Sequence, residues 1–195
     1  MRTRFTWVWA ISFIVICLFS SSAWNQVSPL ISSILSSVAI GLVACSMCGR
    51  LWCTVYIAGH KNDTLVQSGP YSISRNPLYF FSWIGAIGIA MGSQSLILPL
   101  IVGIAFLIYY PIVISSEEAF LAETHPESFE IYRQKVPRFF PKWSLLEEPQ
   151  EYLMKPVIFR RHVLKVMWFA FFLCGLELIH GLHACGWLPV YFTIY

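Results

Sequence analysis

Long apolar blocks, separated by polar connections that carry the charges, set the pattern of this chain. No Asp, Glu, Lys or Arg occurs in residues 5–49 or 76–116, and beyond residue 165 only Glu177 does. A helix needs about 20 apolar residues to cross a bilayer, so the first block holds two spans, the second two and the last one. The spans predicted are residues 5–23, 29–49, 77–91, 96–115 and 163–182. Gly92, Ser93 and Gln94 break the second block into a hairpin. Lipid offers no partner for a backbone N–H or C=O, so each span is helical. The pattern therefore predicts an all-α fold, a polytopic membrane helical bundle of about five transmembrane helices, forming a single integral membrane domain over residues 1–195. The second span is rich in small residues (Ser32, Ser36, Ala39, Gly41, Ala44), which let helices approach closely and place it centrally.

The polar connections refine this. Beyond Arg50 an apolar run continues the second helix, and a polar patch from His60 to Thr64 follows. After the hairpin, Glu117 and Glu118 end the fourth span, and a short helix breaks at His125-Pro126. A second helix runs to about Lys135, and Pro137 stops it. Arg138-Phe139-Phe140-Pro141-Lys142-Trp143 is a basic, aromatic segment suited to the headgroup layer.

Composition agrees: 57% of the 195 residues are hydrophobic and 12% charged, unlike a soluble globule. With five spans and a cytoplasmic N-terminus, all 13 Lys and Arg fall on the cytoplasmic side and the C-terminus on the other. The net charge of +3 then speaks for a membrane surface rather than nucleic acid. A second reading of residues 1–23 is a signal peptide cleaved after Ser21-Ser22-Ala23, which leaves four spans and the same cytoplasmic face.

Candidate chemistry concentrates in residues 65–79, between the first two blocks. Gly69-Pro70 is a turn pair, Tyr71 and Tyr79 offer flat amphipathic rings, and Arg75 a fixed cationic fork. Asn76-Pro77 reads as a helix start, with Asn76 as the N-cap and Pro77 at the first helical position. The free N–H groups of such a start suit an anionic or carbonyl-bearing ligand. The Glu117-Glu118 pair sits at a helix C-terminus, where its charge does not suit the dipole. Cys45 and Cys48 form only half of a zinc motif, and no metal site is assigned. Glu177, His180 and His183 share one face of the last span; they read as pairing with one another or with neighbouring spans, or as His180 and His183 reaching the outer interface, with a three-ligand metal site as the sharper alternative.

Several segments occur in an order that resembles the isoprenylcysteine carboxyl methyltransferases and their relatives, the phospholipid N-methyltransferases. They are Asp63-Thr64-Leu65-Val66, Gly69-Pro70-Tyr71, Arg75-Asn76-Pro77-Leu78-Tyr79, an apolar hairpin, Glu117-Glu118, Tyr132, Val136-Pro137 and Pro141. The resemblance covers residues 59–141: a loop over 60–79, a hairpin over 77–115 and a cytoplasmic segment over 116–143. It implies a membrane methyltransferase that uses S-adenosylmethionine, held in a cytoplasmic cap on the bundle. Leu65, Val66, Gly69, Tyr71, Asn76, Pro77, Tyr79 and Glu117 are the implied cofactor-binding residues; Glu117, Glu118 and Arg75 are the implied catalytic ones. The implied acceptor is a lipid or lipid-modified group within the bilayer, either a carboxylate or an amine. A degenerate member acting as a scaffold or lipid binder is the reading of another class. Three positions depart from the pattern. Asp63 and Asn76 stand where the isoprenylcysteine enzymes carry His, although the phospholipid enzymes share Asn-Pro-x-Tyr. Val113 stands where an Arg would face a substrate carboxylate. Oligomeric state is not readable from these residues.

Overall fold

The computed structural model describes residues 2–58 and 64–195. Its helices follow the apolar blocks: α1 (Arg2–Phe19), α2 (Trp24–Val27), α3 (Pro29–Ile57), α4 (Pro70–Ile73), α5 (Pro77–Met91), α6 (Ile97–Thr124), α7 (Pro126–Lys135) and α8 (Pro156–Ala184). Three of them, α3, α6 and α8, are long and apolar enough to cross a membrane. The apolar α5 has 15 residues, about 22 Å at 1.5 Å per residue, against a hydrocarbon core of about 30 Å. α1 has 18 residues. The long helices overrun the predicted spans at their charged ends: α3 passes Arg50 without a break, and α6 carries Glu117 and Glu118 within it.

α3 and α5 form the centre of the bundle, with α6 packed on α5 and α8 on α3. Small residues make that approach possible. A Cβ on Gly85 would lie 2.3 Å from both the Phe169 ring and the Ser46 hydroxyl. Ser46 Oγ donates to the Phe81 carbonyl at 2.7 Å, tying α3 to α5. The interior is apolar, with Ala39, Val43 and Leu173 buried together under Met47, Ile89 and Phe169.

The two ends of the bundle differ. At one end, the α1–α2 connection, the α5–α6 turn and the C-terminal tail meet. Strand β1 (Ser20–Ser22) pairs in parallel with β2 (Phe192–Ile194), a small departure from the all-α expectation. Buried backbone groups must be paired, and these two extended tripeptides pair where the helices stop. Ser22 Oγ donates to the Gln94 carbonyl at 2.8 Å. Ser95 Oγ donates to the Tyr195 carbonyl at 2.7 Å. His183 lies here too, its Nε2 3.0 Å from the Leu18 carbonyl, so it ties α8 to α1.

At the other end, the segment ahead of α5 is laced to the segment beyond α7. The Arg75 N–H donates to the Pro137 carbonyl, Lys142 to Ile73, Gly69 to Glu147 and Lys155 to Ala58, at 2.8–3.0 Å. The basic connections are thereby gathered at one end. The expected break at His125 is present, and α7 closes on the bundle through buried Phe129, Tyr132 and Val136.

Candidate functional site

Pro77 sits in the first turn of α5, where its missing N–H costs nothing, so the helix begins where its sequence predicts. Asn76 occupies the capping position, yet its side chain makes no cap hydrogen bond. The expected N-cap role is corrected here. The amide Nδ2 donates instead to Glu118 Oε1 and to the Arg138 carbonyl, each at 3.0 Å. One side chain on the α5 loop thus holds both α6 and the segment after α7. The backbone N–H of Asn76 is met by Ser74 Oγ at 3.2 Å.

Glu118 is engaged on both oxygens. Oε1 also faces Arg75 Nη1 at 3.5 Å, and Oε2 faces Arg138 Nε at 3.2 Å. Its side chain is 15% exposed, and that of Arg75 10%. A half-buried carboxylate held by one amide hydrogen bond and two ion pairs is a clamp, because a lost partner would leave its charge less well compensated. Its neighbour Glu117 accepts from Tyr79 OH at 2.7 Å. Tyr79 sits one turn into α5 and packs its ring edge-on against Tyr110 of α6, with centroids 5.0 Å apart. The two adjacent acids therefore take different surroundings: Glu118 lies among cations and an amide, Glu117 against a phenol.

Arg75 retains unspent capacity. Its Nε is buried without a hydrogen-bond partner among the described residues, and the Nη1 contact to Glu118 is an ion pair rather than a hydrogen bond. Tyr71 lies on α4, and its carbonyl accepts from Tyr132 OH at 2.7 Å. Burial pushes the Tyr71 phenol well above its ordinary range, and the Tyr132 phenol upward too. Both stay neutral hydroxyls at any physiological pH. Gly69 starts α4 at φ +60°, and a Cβ there would lie 2.2 Å from the Tyr56 ring. Only glycine accepts both the angle and the contact.

The remaining expected residues fall around this cluster. Leu65 packs with Leu121 against Phe129, Tyr132 and Val136, so it is part of the seat of α7. Val66 is half-buried beside it, and Pro77 is buried. Asp63 lies outside the described residues. Val113 is buried in α6. Cys45 and Cys48 are exposed on α3, and among the described residues no three ligating side chains converge.

Two cations stand out only once the chain is folded. Arg138 reaches Glu118, and its Nη2 donates to Ser115 Oγ at 2.6 Å and to the Pro111 carbonyl at 3.3 Å. Its sequence signal was the basic-aromatic segment after Pro137, which read as headgroup-facing. Arg50 of α3 donates to Ser82 Oγ on α5, one turn from Tyr79, and lies over the Phe169 ring at 5.2 Å.

The family model for phospholipid methyltransferases matches residues 33–128. Among curated proteins, the cobalt-zinc-cadmium resistance protein CzcN of Cupriavidus metallidurans is 36% identical over 91% of this chain and 81% of its own. The nickel-cobalt-cadmium resistance protein NccN of Alcaligenes xylosoxydans xylosoxydans is 34% identical over 95% of this chain and 86% of its own. The protein-S-isoprenylcysteine O-methyltransferase of Schizosaccharomyces pombe is 32% identical over 42% of this chain and 35% of its own. No solved structure matches. The family match takes in the α5–α6 hairpin and both acids, and the first two relatives align with most of both chains; this chain belongs to the phospholipid methyltransferase family.

Proposed function

We propose that this chain is a membrane-embedded methyltransferase dependent on S-adenosylmethionine. In this reading it is isoprenylcysteine carboxyl methyltransferase-like and methylates a lipid-linked acceptor at the cytoplasmic leaflet. The observation that supports it most is the double tie between α5 and α6, Asn76 to Glu118 and Tyr79 to Glu117. A scaffold can join two helices with apolar contacts. Burying charges costs desolvation that such contacts avoid, so a charged cluster at this place favours chemistry over mere cohesion.

The residues present fit the cofactor. The buried, unpartnered Nε of Arg75 suits a carboxylate, with Asn76 and Pro77 shaping the start of α5 beside it. Tyr71 and Tyr79 offer ring faces for an adenine or a sulfonium. Glu117 suits a cation or a ribose diol, with Leu65, Val66 and Gly69 forming the wall of the loop. When bound, S-adenosylmethionine supplies a methyl carbon that takes the acceptor's lone pair as its bond to sulfur breaks toward sulfur. The chain's part is to align the two partners and exclude water.

A carboxylate acceptor needs no base, whereas an amine must lose a proton. Glu118 is already engaged by one amide and two guanidinium groups, so Glu117 is the acid placed to take a proton. That placement favours a second reading, a phospholipid or lipid-amine N-methyltransferase. The names of CzcN and NccN concern metal resistance. Esterifying a lipid carboxylate removes an anion that divalent cations bind, which is compatible with such a setting.

The test incubates membranes containing the chain with methyl-labelled cofactor and sorts the label into base-labile ester and base-stable amine. Ester label lost in both Glu117→Gln and Tyr79→Ala is expected. Label in stable amine moves the assignment to the second reading. No saturable cofactor binding in detergent, with no label transferred, returns the chain to the scaffold class.

A further inference from the structure

Two histidines near the C-terminal end of α8 each bury a ring nitrogen with no hydrogen-bond partner among the described residues: His180 Nδ1 and His183 Nδ1. Both residues are half-buried and three apart, so their side chains leave one face of the helix about a turn from each other. The other nitrogen of His183, Nε2, lies 3.0 Å from the Leu18 carbonyl of α1. A carbonyl oxygen only accepts, so the proton of the neutral imidazole sits on Nε2 and the lone pair on Nδ1. Buried polar atoms are nearly always paired, so two unmet imidazole nitrogens this close call for a physical account.

An imidazole whose far nitrogen donates to a backbone carbonyl is an oriented metal ligand, because that bond fixes the tautomer and aims the lone pair. His183 has this arrangement through Leu18. The surroundings tolerate positive charge. Neither α1 beyond Arg4 nor the α5–α6 turn carries Lys or Arg, and Lys165 lies about 22 Å along α8 from His180 at 1.5 Å per residue. Glu177, exposed one turn before His180, is the only charged side chain beyond residue 165. No three ligating side chains converge among the described residues, which leaves two protein ligands and open positions for water. Neutral imidazole suits Zn²⁺, Ni²⁺, Co²⁺ and Cu²⁺, whereas Mg²⁺ and Ca²⁺ need oxygen. We propose that His180 and His183 bind one divalent late transition-metal ion through their Nδ1 atoms, at the end of the bundle opposite the Glu118 cluster. Because His183 holds Leu18 by its other nitrogen, the bound ion stiffens the docking of α1 on α8. The site shares no residue with the methyltransferase reading and stands or falls apart from it.

The experiment uses the full chain in phosphatidylcholine nanodiscs, free of any affinity tag and without cofactor, with empty discs as the blank. Ni²⁺, Zn²⁺ and Co²⁺ are each titrated by calorimetry beside Mg²⁺. About one ion per chain is expected, with Ni²⁺ at least about tenfold tighter than Mg²⁺. Amide exchange over residues 11–19 of α1 should slow when Ni²⁺ is bound. His180→Ala should weaken Ni²⁺ binding by at least about tenfold. His183→Ala would lose the ligand and the tie to Leu18 together, so His183→Gln serves as the second variant. Its amide N–H can take the place of Nε2 against the Leu18 carbonyl, but it offers no imidazole lone pair. Ni²⁺ affinity should fall at least about tenfold in His183→Gln, while the thermal midpoint without metal stays near that of the parent. Cys185 is an exposed thiol two residues from His183 and the side chain best placed to take up an ion adventitiously. Cys185→Ser should leave Ni²⁺ affinity within about twofold. The proposal is overturned if Ni²⁺ binds no tighter than Mg²⁺, if either His180→Ala or His183→Gln binds as the parent does, or if Cys185→Ser abolishes binding.

Discussion

Asn76 and Glu118 are 42 residues apart and meet at 3.0 Å, across the whole of the hairpin that separates them. The same amide holds the Arg138 carbonyl, so one side chain joins the α5 loop, α6 and the segment after α7. Asn76→Ala should therefore lower thermal stability by about 1–3 kcal/mol, the cost of leaving buried partners unmet. Cofactor affinity should fall with it. Asn76→Asp should be worse than Asn76→Ala, since it sets a like charge against Glu118. Asn76→His keeps an N–H donor and should retain more activity than either. Thermal unfolding and cofactor titration of the three variants check the order.

Tyr79 couples a hydroxyl to Glu117 and a ring to Tyr110, and the two contributions separate by substitution. Tyr79→Phe keeps the ring packing and removes the hydrogen bond. Its transfer rate should fall about tenfold with a smaller change in stability. Tyr79→Ala also loses the aromatic contact, and both rate and thermal midpoint should drop. Initial rates with labelled cofactor, measured beside unfolding curves, make the separation. Equal loss in both variants would assign the effect to the hydroxyl alone.

The apolar blocks, the hairpin at Gly92 to Gln94 and the break at His125 were legible because each depends on local composition or a single proline. The order of their motifs also grouped Asn76, Tyr79 and the acid pair, and the fold brings these side chains into contact. What Asn76 does there was not legible. Its residue type and its place before Pro77 both signal a cap, and only a tertiary partner diverts the side chain. The unequal surroundings of Glu117 and Glu118 were hidden for a related reason. Adjacent residues on a helix point about 100° apart, so one meets Tyr79 and the other the arginines. Arg138 lay in a segment that composition assigns to headgroups, and its reach to Glu118 depends on how α7 folds back. The β1–β2 pair joins chain ends with no mutual signal in either tripeptide.

Burial raises the Tyr132 phenol above its ordinary value of 10.0. A group whose folded value is raised contributes stability that is complete below the unfolded value and is lost as pH climbs toward the folded one. The thermal midpoint should thus show no tyrosine-dependent change between about pH 6 and 9, and a decline above about pH 10. Tyr132→Phe removes this titration and should make the alkaline decline shallower, leaving the part that the raised Tyr71 phenol contributes. It also leaves the Tyr71 carbonyl without its donor, at a cost of about 1–3 kcal/mol at neutral pH. Melting curves of both proteins across pH 7 to 11 would separate the offset from the slope.

Gly69 combines a φ of +60° and a ψ of −130° with the close approach of Tyr56. That region is nearly closed to residues with a Cβ, at a cost of about 1–3 kcal/mol before any contact is counted. Gly69→Ala adds a methyl 2.2 Å from a ring carbon, so either Tyr56 or the loop must move. The loop is tied on both sides, by Gly69 to the Glu147 carbonyl and by Tyr132 to Tyr71, and the strain should be relieved by breaking the first. Faster amide exchange across residues 65–76 is then expected, together with a loss of cofactor affinity larger than the loss of global stability. Gly175 of α8 has nothing within 4 Å of the position a Cβ would take. Gly175→Ala should leave exchange in the loop unchanged and alter stability by less than about 1 kcal/mol. If both alanine variants exchange alike, the constraint at Gly69 is not what shapes this loop.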